Sequence, residues 1–139
     1  MKGMTLTQIL RNTTASRIEL SAHVSIRNLK FGVSRKLQIP KAIAQSFSKD
    51  RGKDGRLQVF KYATMVEFHP GSLVKVGCSC PDFLYRWEYA LARRGAAYMT
   101  YGNGEPPTDT NPKLVPGMCK HCVALVSALK KQKLLPKFI

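Results

Sequence analysis

Two short clusters in this chain carry side chains capable of chemistry: Cys78-Ser79-Cys80 and Cys119-Lys120-His121-Cys122. Two thiols one residue apart on a strand-end turn can point at one atom. A Cys and a His at the entry of a helix can supply two more donors from its first turn. Three sulfurs and one imidazole nitrogen form a tetrahedral set that suits zinc, with thiolates at ~2.3 Å and nitrogen at ~2.0–2.1 Å. Five donors are available for four places. Cys122 is in line with an apolar helical stripe, which assigns it to the core as a small hydrophobe; a ligand role is its alternative. The expected ligands are therefore Cys78, Cys80, Cys119 and His121. Such a set leaves no place for water, and closed sites are structural rather than catalytic. A thiol enzyme would need a cysteine facing a base, and sequence neighbours on a helix do not face each other. A redox role for Cys78 and Cys80 would leave the second cluster unexplained.

The elements that must position these donors follow from hydrophobic spacing. Leu73 to Gly77 reads as a short strand delivering Cys78, and pairs as a hairpin with a strand over 57–68 across the turn His69-Pro70-Gly71-Ser72. Pro81 opens a helix over 82–94, with Phe83, Trp87 and Leu91 on its inner face and a stop at Gly95. Asp82 is placed to cap or charge its N-terminus. The segment 102–117 carries four prolines and three glycines and reads as an irregular loop. A helix over 119–132 follows, with Cys122, Leu125, Val126 and Leu129 inward.

Upstream, residues 5–12 suggest a short helix. Ile18, Leu20, Ala22, Val24 and Ile26 alternate with polar residues, including His23, which predicts a strand near 17–33. The parity then shifts to Leu29, Phe31 and Val33, so this strand must bend or bulge near Asn28. Pro40 predicts a short helix over about 41–48 with Ile43 and Phe47 inward. KDRGKDGR at 49–56 is a loop or hairpin turn. The expected fold class is α+β: a small antiparallel sheet packed against two main helices, with one structural zinc site. Residues 1–139 are expected to form a single domain, comprising a basic region 1–56, a metal-binding core 57–130 and a basic tail 131–139.

The 139 residues contain 23 Lys+Arg against eight Asp+Glu, a net charge of +15. Residues 1–61 alone hold thirteen basic and three acidic residues. Such an excess predicts polyanionic or acidic partners and salt-sensitive association. Lys49, Arg51, Lys53 and Arg56 are the first candidate contact set, since a basic loop can follow a phosphate backbone; Lys130 and Lys131 are the second. No base-reading motif and no phosphate-binding glycine motif is evident, so contact with nucleic acid should be sequence-independent. No run approaches the ~20 apolar residues that cross a bilayer. MKGMTLTQILRN lacks an apolar run and a cleavage site, so a secretory signal is not expected. In a reducing compartment, four cysteines point to a metal rather than to disulfides.

Cys78-x-Cys80 followed by Cys119-x-His121 resembles the SWIM-type zinc finger, in which a hairpin and a following helix grip one zinc. The resemblance covers about residues 57–130. It departs in the spacer: thirty-eight residues separate Cys80 from Cys119, and they contain a whole helix. The longer segment, CSCPDFLYRWEYALARRG through GMCKHCVAL, is similar to small SWIM-type proteins of tailed bacteriophages. That resemblance implies a virion structural or assembly component, located in the virion or the host cytoplasm, that contacts other virion proteins and packaged DNA. The alternative is a nucleic-acid-binding regulator. Neither reading is enzymatic.

Overall fold

Period-two alternation builds the sheet, and helices cover one of its faces. The computed structural model describes residues 3–33, 38–98 and 106–135. Its elements are β1 (Met4–Thr5), α1 (Leu6–Asn12), α2 (Ala15–Ser21), β2 (Ser25–Val33), β3 (Pro40–Arg51), β4 (Leu57–His69), β5 (Leu73–Cys78), α3 (Glu88–Arg93) and α4 (Lys120–Lys131). A π-helical turn over Phe83–Trp87 runs directly into α3. The five strands pair antiparallel in the order β1-β5-β4-β3-β2, and Ala97 adds an isolated parallel bridge to Val76 of β5. The α+β expectation of an antiparallel sheet against two main helical segments holds, the short helix expected over 5–12 is present as α1, and two strands and the helix α2 are added.

Two upstream segments differ from expectation. Ala15–Ser21 is a helix rather than the start of a strand. Ala15, Arg17, Glu19 and Leu20 are good helix formers, and the Arg17 guanidinium is pinned by Asp82 at 2.6 Å. The alternating apolar residues are not a buried strand face: Ile18 and Leu20 are 46% and 47% exposed. His23 falls in the turn after α2, where it is exposed. The strand begins only at Ser25, and its register slips between Arg27 and Lys30. Asn28 takes a positive φ of 55° there, which places the expected bulge at the expected residue.

The second difference is Pro40–Arg51, a twelve-residue strand rather than a helix. Pro40 starts it, a position where a missing N–H costs little. The inward residues are Ala42, Ala44, Ser46 and Ser48, not Ile43 and Phe47. Local apolar spacing suggested period 3.6, and pairing with β2 on one side and β4 on the other imposes period two. These small side chains let the cysteine–histidine cluster and α4 approach the sheet closely.

The downstream elements match their sequence signals. Leu73–Cys78 pairs with β4 through Thr64↔Cys78 and Val66↔Val76. Phe83, Trp87 and Leu91 are buried, as are Cys122, Leu125, Val126 and Leu129 of α4. Gly95 ends α3 with a φ of 68°. Within the expected irregular loop, residues 102–105 lie outside the described set, as does the end of the basic tail, 136–139. The described part of the loop is held by buried Asn111. Its amide donates to the carbonyls of Arg86 and Val115, and its carbonyl accepts from the Val115 amide. Gly117 then passes so close to Trp87 and Asn12 that a Cβ would sit 2.9 Å from each. Together these contacts deliver Cys119 to the end of β5.

Candidate metal centre

Cys78 ends β5, and its sequel, Ser79, stays tied to the sheet: the Ser79 amide donates to the Ala63 carbonyl and its hydroxyl accepts from the Ala63 amide. Cys80 follows on the turn into the π-helical segment. Cys119 is the residue before the first turn of α4, and His121 lies within that turn. Cys78, Cys80, Cys119 and His121 are all buried, and one donor atom from each lies within 4.8 Å of the others. Bonds of ~2.0–2.3 Å to a central zinc imply donor separations of roughly 3.3–3.8 Å, within reach of small side-chain adjustments. The set joins the sheet to the helix layer across the thirty-eight-residue spacer.

The hydrogen bonds of the histidine identify which of its nitrogens is free. His121 Nε2 lies 2.8 Å from Ser48 Oγ, and the Ser48 hydroxyl donates to Asp50 Oδ2 at 2.7 Å. With the Ser48 proton committed to Asp50, the serine oxygen accepts from the ring, which puts the imidazole proton on Nε2. Nδ1 then carries a bare lone pair. It is the one described buried side-chain nitrogen or oxygen without a hydrogen-bond partner. An orphaned acceptor beside three thiols is costly without a Lewis acid and is satisfied by one. An imidazole oriented by a serine and a carboxylate is the usual support of a metal-binding histidine.

The surroundings extend this support. Lys120 donates to Asp50 Oδ1 at 2.5 Å. Burial pushes the Asp50 carboxyl up, and hydrogen bonds from Lys120 and Ser48 outweigh it, so the group sits below the ordinary carboxylate value. The Phe83 amide donates to Cys80 Sγ at 3.4 Å, and the Thr64 hydroxyl lies 3.5 Å from Cys78 Sγ. Without a cation the clustered thiols ionise unequally. Burial opposes ionisation of Cys78, but hydrogen bonding from Cys119, Cys122 and Cys80 holds it well below the ordinary thiol value. Cys80 is pushed up by Cys119, Cys78 and burial, and Cys119 by burial above all. A divalent cation removes that conflict, because it stabilises every coordinating thiolate at once. The donor set therefore fits a metal.

Cys122 lies outside the four-donor group. Its thiol is 3.7 Å from the Gly77 carbonyl and 3.7 Å from Cys119 Sγ, within the apolar layer beneath α4. Asp82 supplies no cap to its helix; it accepts instead from Arg17 and from Trp87 Nε1. His69 pairs with Glu67 at 2.6 Å, away from the donors.

The two predicted basic sets are not brought together. Lys49 and Arg51 end β3, and Lys53 and Arg56 stand in the turn, while Lys130 and Lys131 lie at the far end of α4. That helix spans about 18 Å. Ser48, Asp50 and the Lys120 tether carried no sequence signal, because they sit on a segment whose local pattern suggested a helix and a loop. Next to the donors opens a cavity of about 600 Å³, walled by α2, the β3–β4 hairpin and the Cys80–Asp82 turn. No helix among the described residues is long and apolar enough to cross a membrane. Comparison with protein-family models, with curated proteins and with solved structures found no match.

Proposed function

We propose that this chain is a non-enzymatic binding module held together by one zinc ion, with Cys78, Cys80, Cys119 and His121 as its ligands. The unpartnered Nδ1 of His121, in a buried cluster with three thiols while Nε2 is spent on Ser48, is the observation that carries this reading. Zinc is favoured over other divalent ions by a tetrahedral set of three sulfurs and one nitrogen. Four protein donors complete that coordination, so the ion's work is mechanical: it clasps the end of β5 to the start of α4. The clasp is useful in a chain of net charge +15, which repels itself on compaction.

The ligand spacing keeps its resemblance to a SWIM-type finger, and the longer segment its resemblance to tailed-bacteriophage proteins. On that basis we read the module as a virion structural or assembly component, with a cationic surface that docks on other virion proteins or on packaged DNA. A second reading, a nucleic-acid-binding regulator, is favoured by one feature: Lys49, Arg51, Lys53 and Arg56 cluster on a single hairpin. Elemental analysis of untagged protein should give one zinc per chain, and particles purified from an infected host should contain the chain in fixed copy number. Absence of stoichiometric metal refutes the clasp. Tight, steeply salt-dependent binding to free duplex DNA, together with absence from particles, would favour the regulator.

A further inference from the structure

We propose that the cavity beside the metal centre binds single-stranded nucleic acid, with a base laid against Phe60 and Tyr62 and its phosphates held by Arg51 and Lys53. This rests on the structural reading of the metal centre and adds the partner's chemical class.

Phe60 and Tyr62 project from the same face of β4, paired opposite Ser48 and Ser46. Their rings are 6.2 Å apart and only 13° from parallel, so they present one aromatic wall. Tyr62 rests in turn on the His121 ring at 5.0 Å, which backs the wall with a side chain fixed by Ser48. Both aromatics are half-buried, leaving ring surface toward the cavity they line.

The hairpin stands clear of its neighbour. Pairing of β2 with β3 begins at Ser25↔Phe47, whereas β3 and β4 continue to Arg51↔Leu57. The wall is therefore reachable from the hairpin's tip. That tip is stiff: the Gly52 amide donates to the Arg56 carbonyl, Asp54 accepts from the Arg56 amide, and Arg51 Nη1 donates to the Gly55 carbonyl.

The four cations around the cavity differ. Arg17 and Lys120 are committed to Asp82 and Asp50. Arg51 and Lys53 make no ion pair among the described residues, so they are the cations available to an incoming anion. An aromatic wall with cations outside any ion pair at its rim is the arrangement that takes stacked bases and their backbone without reading sequence. A duplex hides its base faces in its own stack and cannot offer one to Phe60. An acidic peptide could satisfy Arg51 and Lys53 but has no planar group for the wall.

The test uses the zinc-loaded full chain and a fluorescent oligothymidine of about ten nucleotides, read by anisotropy, with metal content measured for every variant. Oligothymidine should bind more tightly than a duplex of equal length and should resist competition by oligoglutamate. Phe60→Ala should weaken binding by roughly five- to a hundredfold, while Phe60→Trp retains it. The pair Arg51→Gln and Lys53→Gln, both exposed at the hairpin tip, should flatten the log–log salt dependence by about 1.4, the contribution of two single-strand phosphates. Equal or tighter duplex binding, equal competition by oligoglutamate, or binding indifferent to both Phe60→Ala and the turn pair overturns the proposal. If these failures occur with one metal per chain, the clasp stands and only the cavity's assignment falls.

Discussion

Along β3, Ala42, Ala44, Ser46 and Ser48 turn toward α4 and the metal centre, while Lys41, Ile43, Gln45, Phe47 and Lys49 turn the other way. The first set is buried; Ile43 on the second is 38% exposed. The neighbouring strands repeat the division. Val66, Thr64, Val76 and Cys78 face the helices, and Val59, Lys61, Glu67 and Lys75 face away, with Val59 61% exposed. One face is mostly buried and tied by a polar chain running from Lys120 through Asp50 and Ser48 to His121. The other is cationic and open over much of its area, with Arg27 lying over Phe47 at 5.0 Å. Side chains too small to fill space themselves sit where the covering layer comes closest. Cations sit where water can solvate them, which keeps a charge of this size compatible with a packed interior.

The largest expected break in this contrast comes from the metal. Chelation, Cys80→Ser or His121→Ala should unfold the 78–122 region, since a structural zinc contributes on the order of 10 kcal/mol; near-ultraviolet circular dichroism and hydrogen exchange would register it. Retention of a full thermal transition after complete chelation would mean that packing alone holds the covered face. Trp87→Ala should cost about 3–5 kcal/mol in urea denaturation, because the indole is 1% exposed and its Nε1 donates to Asp82. Asn111→Ala should cost about 1–3 kcal/mol and speed amide exchange in 106–117, leaving the exchange of β3 and β4 unchanged.

Smaller effects are expected at Cys122 and on the open face. Cys122→Val should leave metal content unchanged and shift stability by less than about 1.5 kcal/mol; metal loss equal to that of Cys80→Ser would make Cys122 a ligand. On the open face, Lys30→Gln with Lys61→Gln should alter stability by no more than about 0.5 kcal/mol per site. A larger loss in thermal melts would show that this face is also part of the packed structure.

Much of the downstream half was legible because its signals are local and agree with one another. Phe83, Trp87 and Leu91 repeat at helical spacing and Gly95 follows them, and the stripe of α4 runs uninterrupted from Cys122 to Leu129. The upstream half was less legible because its local patterns conflict. Ile18, Leu20 and Ala22 alternate as a strand would, yet good helix formers and the Arg17–Asp82 pair make 15–21 helical. Ile43 and Phe47 have helical spacing, yet two flanking strands make their segment a sheet element with those residues on its outer side.

Residue type and spacing alone picked out the Cys and His side chains that cluster, the excess of positive charge and the elements that flank each cysteine pair. Such properties belong to the chain whatever its shape, or to stretches short enough for neighbours to decide. Tertiary structure decided that β3 exists, that Ser48 and Asp50 orient His121 from more than seventy residues away, and that Nδ1 rather than Nε2 is left for a metal. A hydrogen bond between distant segments has no trace in local periodicity, because only the packed fold creates the proximity on which it depends.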